Sequence, residues 1–151
     1  MTKVLARIAL LTSLSLLAIP SAASASPTVW GGSDFNDLGP AYALIATQNG
    51  NSWVKNVQLI LACTDTQDGT ESERAFDARY RNREALRRNR FSFDFTAISG
   101  GRLGRVRVKG ILRSNGRGVA RVRVEASATS DEGAVIERCQ GSVRIPLRRG
   151  G

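Results

Sequence analysis

Residues 105–125 read RVRVKGILRSNGRGVARVRVE, and this stretch decides the fold. Val106 and Val108 alternate with Arg105, Arg107 and Lys109. After a polar break, Val122 and Val124 alternate with Arg121, Arg123 and Glu125. A period of two is that of a strand with one buried and one wet face. The break, Ser114-Asn115-Gly116-Arg117-Gly118, is built of turn residues, so the two runs predict an antiparallel hairpin. A two-residue Asn-Gly loop would set Val106 against Glu125, an inward side chain against an outward one. Loops of three or five residues restore the parity, pairing Val106 with Val124 or with Ala126.

The same period recurs outward from the hairpin. Phe91, Phe93, Phe95 and Ala97 share one parity, with Ser92, Asp94 and Thr96 on the other. Val57, Leu59, Leu61 and Cys63 form an earlier inward set, and Cys139, Val143, Ile145 and Leu147 a final one. Tyr42 to Ala46 is a short apolar run. Pro146 has no N–H to give a ladder, which predicts a last strand at a sheet edge or ending there. Residues 70–89 carry two patterns. Thr70-Glu71-Ser72-Glu73 fits a helix capping box, with Asp77/Arg81 and Glu84/Arg88 at helical spacing. Phe76, Ala78 and Tyr80 alternate with charged residues as a strand would. The strand-rich surroundings favour a strand at 75–81 and a turn near 82–89.

At the N-terminus, Lys3 and Arg7 precede the apolar run 8–19, Pro20 ends it, and Ala23-Ser24-Ala25 supplies a small-x-small cleavage pattern. This is the layout of a secretory signal peptide spanning 1–25, too short for a membrane span. Residues 26–40, rich in Gly, Ser, Asp and Pro, read as a flexible lead-in segment or short edge strand. Residues 41–149 are then one domain with one core. The expected location is secreted or cell-envelope, with no transmembrane segment in the mature chain. In such an oxidising compartment Cys63 and Cys139, the only cysteines, predict one disulfide. Each lies in phase with the inward residues of its strand, so both sulfurs should point into the same core.

Several short motifs follow in order: Arg90-Phe91-Ser92-Phe93, Val106-x-Val108-x-Gly110, the strand from Gly116 to Val124, and Cys139-x-Gly141-x-Val143. In these the chain resembles small secreted bacterial β-sandwich proteins, mostly of unknown function. The resemblance implies an all-β antiparallel sandwich in which the late Cys139 pairs with Cys63. It covers about half the chain and says little of activity. The final strand has Ile145-Pro146-Leu147 where such proteins often carry an aromatic.

Chemistry is narrowed by what is missing. The sequence has no His, which removes Ser-His-Asp and Cys-His catalysis, and a disulfide would consume both thiols. The carboxylates Asp65, Asp68, Glu71, Glu73 and Asp77 cluster in a Gly-containing, solvated segment, a poor place to separate an acid from a base. That segment could wrap calcium, but it lacks EF-hand spacing and reads as a turn. No catalytic residue, cofactor or metal site is assigned, and a carboxylate-dependent hydrolase is the minor alternative. Removing Lys3 and Arg7 from the 22 cations leaves 20 against 13 acidic residues, a formal charge of +7. On the outward face of the hairpin, Arg105, Arg107, Lys109, Arg121 and Arg123 are the candidate ligand-binding residues. Anionic polysaccharide or another cell-envelope polymer is the expected partner. With a three-residue loop Arg107 faces Arg123 and Lys109 faces Arg121. With five, Arg107 faces Glu125 and the patch is partly neutralised. Specific nucleic-acid recognition is not expected, because the strand-phased Phe residues point inward rather than offering rings for bases. Trp30, Trp53, Tyr42 and Tyr80 are the candidates for stacking on sugars. The competing reading is a secreted structural or accessory module with no small ligand.

Overall fold

The computed structural model describes residues 25–150, so the signal-peptide reading falls almost wholly outside the described residues. All eight elements are strands: β1 (Thr28–Asn36), β2 (Gly39–Gln48), β3 (Asn51–Asp65), β4 (Glu71–Ala85), β5 (Arg90–Ser99), β6 (Arg102–Leu112), β7 (Arg117–Thr129) and β8 (Val135–Arg149). They pair antiparallel in one sheet of order β4-β3-β2-β1-β8-β7-β6-β5. Among the described residues no helix is long and apolar enough to cross a membrane.

Alternation places the core. Val106, Val108, Val122 and Val124 are buried, as are Phe91, Phe93 and Phe95 of β5 and Leu59, Leu61 and Cys63 of β3. Each fully buried large apolar side chain favours the fold by roughly 1.5–3 kcal/mol. Because these residues occupy one face only, the sheet curls until that face meets itself. The two ends of the strand order approach each other: Asp77 N of β4 donates to Ser99 Oγ of β5, and Tyr80 stacks on Phe95 with ring centroids 4.7 Å apart.

Between β3 and β8 the sheet has a split. The first part of β3 pairs with β2, as in Gln48↔Asn51 and Tyr42↔Gln58. Its last residues, Ala62 to Asp65, pair instead with β8. The tip of the β1–β2 hairpin fills the wedge between. Asn36 donates from Nδ2 to the Ile60 carbonyl (3.1 Å), while its Oδ1 accepts from Leu38 N and Gly39 N. One side chain thus closes the hairpin turn and satisfies a carbonyl of β3 that neither neighbouring ladder reaches.

Several expectations change or sharpen. Residues 28–36, read as lead-in, are β1, hydrogen-bonded to β2 along the strand and touching β8 at Trp30↔Arg149 and Gly31↔Arg148. The strand expected at 75–81 is there and longer, running from Glu71 to Ala85, so residues 82–85, expected in the turn, are strand and the turn is confined to 86–89. Pro146 does not mark an edge, since β8 lies between β7 and β1 and continues to Arg149. Its carbonyl faces Gly32 of β1, where a Cβ would lie 1.8 Å from the oxygen. The N–H that proline lacks would therefore point toward β1, along a stretch where β8 has no ladder partner on that side. The same approach requires Gly32 to be glycine.

Candidate functional site

The hairpin register settles how the cations meet. Val106 faces Val124, Arg107 faces Arg123 and Lys109 faces Arg121. Arg113 N bonds to Arg117 O, leaving a three-residue loop of 114–116. Gly116 N donates to Arg113 O, and Gly116 takes a left-handed φ of 76°. A tight turn ending in a left-handed glycine is the usual three-residue solution. Of the two loops that preserve parity, the shorter is the one formed, and it sets like charges side by side.

Strand β8 extends the pattern. Arg121 faces Arg144, and Arg123 faces Ser142. On the far side Ser92 of β5 faces Lys109, and Asp94 faces Arg107. Two rows of outward side chains result, running across the strands. In the first, Arg107 and Arg123 are partly neutralised: Arg107 Nε is 3.7 Å from Asp94, and Arg123 is 2.8 Å from Glu125. In the second, Lys109, Arg121 and Arg144 stand on three adjacent strands. Among the described residues none of the three has a carboxylate within 4.0 Å.

Arg105 is engaged differently. Its Nε and second guanidine nitrogen reach the two oxygens of Asp94 at 2.8 and 2.7 Å, a bidentate pair. That guanidinium holds the Asp94 carboxyl below its ordinary value, with Arg107 and Lys109 adding smaller Coulombic pulls. Of the five cations singled out in the sequence, Lys109 and Arg121 remain clear of carboxylates, while Arg105, Arg107 and Arg123 share Asp94 and Glu125. Arg144 completes the row and was not among the five. Its signal was present as the outward parity of Ser142, Arg144 and Arg148 in the last strand. What the sequence lacked was the knowledge that β8 lies beside β7.

The row borders three depressions. The largest, about 940 Å³, spans Arg107, Lys109, Arg121, Arg123 and Arg144 and is walled by Asp37 and Leu38 of the β1–β2 tip. A second, about 770 Å³, shares Lys109 and Arg121 and continues over Arg90 and Arg87 beside Glu84. A third, about 420 Å³, shares Arg144 and adds Arg113 and Arg117 beside Asp34. Each contains a single acidic residue among its cations.

The other candidates are placed elsewhere. Asp65 Oδ1 accepts from Gln67 N and Asp68 N, and Asp68 Oδ1 accepts from Thr70 N, so these carboxylates shape their turn. The Asp68 carboxyl is lowered, chiefly by the Thr70 hydroxyl. Cys63 and Cys139 face each other in the β3–β8 ladder and are bonded to one another. Glu137 lies beside them, held by Arg102 and Arg74. Trp30 is buried, its indole donating to Thr47 Oγ1 with the Arg149 guanidinium 5.0 Å above its ring. Tyr80 packs on Phe93 and Phe95. Trp53 lies under Arg83, and the Tyr42 hydroxyl accepts from Asn56. None of these rings is on the β6–β7–β8 face.

No protein-family model matches the chain, and neither a curated protein nor a solved structure matches it.

Proposed function

We propose that this protein is an exported, non-catalytic binding domain whose basic β6–β7–β8 face holds an anionic polymer at or outside the cell envelope. The row Lys109–Arg121–Arg144 carries the reading. Like charges directly opposite on neighbouring strands disfavour the sheet by a few tenths of a kcal/mol per pair. A ligand that neutralises them relieves that cost at the moment of binding. Arginine's planar fork suits carboxylate, sulfate and phosphate oxygens alike. The disulfide is compatible with an oxidising compartment, and the leader-like N-terminal sequence agrees with it. In the curled sheet, with one core enclosed by its two halves, we read a β-sandwich. Against catalysis, the carboxyls of Asp68, Asp94 and Glu137 all shift downward, opposite to what a general acid needs near neutrality.

One observation favours the alternative of an accessory module with no such ligand. Arg105–Asp94 and Arg123–Glu125 neutralise half of the face. The test is binding of the oxidised protein to heparin and to short single-stranded DNA across a salt series. Engagement of several cations predicts affinity that falls linearly with salt on logarithmic axes. The double variant Lys109→Glu/Arg121→Glu should abolish the interaction and flatten that slope. Weak binding that is equal for both polymers and indifferent to the substitutions would return the protein to the accessory reading.

A further inference from the structure

Across β5 to β8 several cations are clear of carboxylates, Arg117 and Arg148 facing each other near the β6–β7 loop among them, and four of the set step from strand to strand as a line. Arg90 stands on β5, Lys109 on β6, Arg121 on β7 and Arg144 on β8, one cation per strand across four consecutive strands. Lys109, Arg121 and Arg144 share one row, and Arg90 lies one step along, opposite Ile111. Neighbouring strands are about 4.8 Å apart, so Lys109, Arg121 and Arg144 follow at even pitch, while the offset step to Arg90 is about 8 Å and the line is roughly 16 Å end to end. The two larger depressions meet at Lys109 and Arg121 and so give the line a continuous floor. Asp37 stands at its β8 end, where a negative charge opposes further travel of an anionic chain.

Resting on the polyanion reading above, we propose that the ligand is a linear acidic polysaccharide with one anionic group per sugar. It lies across the strands from Arg90 to Arg144. A pyranose ring repeats along such a chain on the length scale of the strand spacing, so successive sugars meet successive strands. Ser92 and Ser142 flank the line with hydroxyls, suited to sugar hydroxyl groups. The apolar neighbours along the next row are Ile111, Val119 and Pro146 rather than aromatic rings. A single-stranded nucleic acid would therefore find phosphate contacts without the stacking platform that usually accompanies them.

The test is calorimetric titration of the oxidised protein with oligogalacturonates of defined length, dimer to octamer, at low ionic strength, with single-stranded DNA and heparin as comparison arms. Affinity should climb with each sugar up to about the tetramer, the length the four strands accommodate, and then level off. Arg90→Gln and Arg144→Gln, at the two ends of the line, should each lower tetramer affinity roughly tenfold while leaving the dimer nearly unchanged. Lys55→Gln, an exposed cation on β3, should change neither. These side chains are exposed, and an unchanged melting temperature would confirm intact folding. Affinity independent of length, or end-of-line substitutions that weaken dimer and tetramer alike, would overturn the cross-strand polysaccharide. Tighter binding to DNA than to any oligogalacturonate would do the same. If heparin still binds in those cases, the basic face stands as a polyanion site. If no polymer binds, that broader reading falls as well.

Discussion

Arg88 and Asn89 form the tight β4–β5 turn, with reciprocal backbone bonds between Arg87 and Arg90 and φ values of 51° and 61°. Asparagine visits the left-handed region readily, whereas arginine's Cβ meets the following carbonyl there at a cost of about 1–2 kcal/mol. Arg88→Asn should therefore raise stability by roughly 0.5–1 kcal/mol, a gain of a few degrees in a thermal melt. No change would mean that the Arg88 side chain compensates through contacts of its own. Glu137 supplies the other test at this scale. Its carboxylate takes a hydrogen bond from Arg102 Nε, lies 3.5 Å from Arg74 Nε and accepts from Ser72 Oγ. Chiefly through Arg102, its carboxyl is held below the ordinary value of 4.5. A depressed carboxyl contributes stability that is fully present above the unfolded value and lost as pH falls through the folded one. Glu137→Gln should cost roughly 1–3 kcal/mol at neutral pH. It should also flatten the loss of stability below pH 4.5, read as denaturation midpoints across an acid series.

At the scale of strands and turns, one dipeptide shows both the reach and the limit of local sequence. Asn49-Gly50 joins β2 to β3 with both residues at positive φ, a two-residue turn. Asn115-Gly116 joins β6 to β7 through three residues, with only Gly116 left-handed. Nothing within the dipeptide separates the two. The flanking alternation does, because only an odd loop keeps Val106 and Val124 on the same side. Strands β3 and β5 to β8, their inward faces and the strand nature of residues 75–81 were legible for the same reason: each is a parity statement, whereas the disulfide was legible from a lone pair of cysteines behind a leader-like start. What parity cannot supply is which strand lies beside which. Hence Arg144 was missed although its outward phase was plain, and Pro146 suggested an edge in a strand that has neighbours on both sides. For residues 26–40, read as a flexible lead-in or short edge strand, composition allowed a strand but not its place between β2 and β8. Glycines there suggested looseness, while Gly32 serves a close strand crossing.

For the molecule as a whole, the Cys63–Cys139 bond ties residues 76 apart at the place where β3 leaves β2 for β8. Closing a loop of that length restricts the unfolded chain by about 4 kcal/mol in the chain-entropy view. The paired substitution Cys63→Ala/Cys139→Ala should lower unfolding free energy by up to that amount in a urea titration. Wild-type protein under reductant should follow the variant. A much smaller loss would show that the β3–β8 ladder and the Asn36 wedge hold the join without the bond. The same join bears on timing. Strand β8, which follows the other seven in chain order, pairs with β7, β3 and β1 and carries the second cysteine. Without it, β1 to β4 and β5 to β7 are two antiparallel pieces that meet through the β4–β5 turn and the packing of those two strands, with half of a disulfide. This 15-residue strand supplies the hydrogen-bonded join between them, so the curled sheet closes, and the disulfide can form, only once β8 has taken its place.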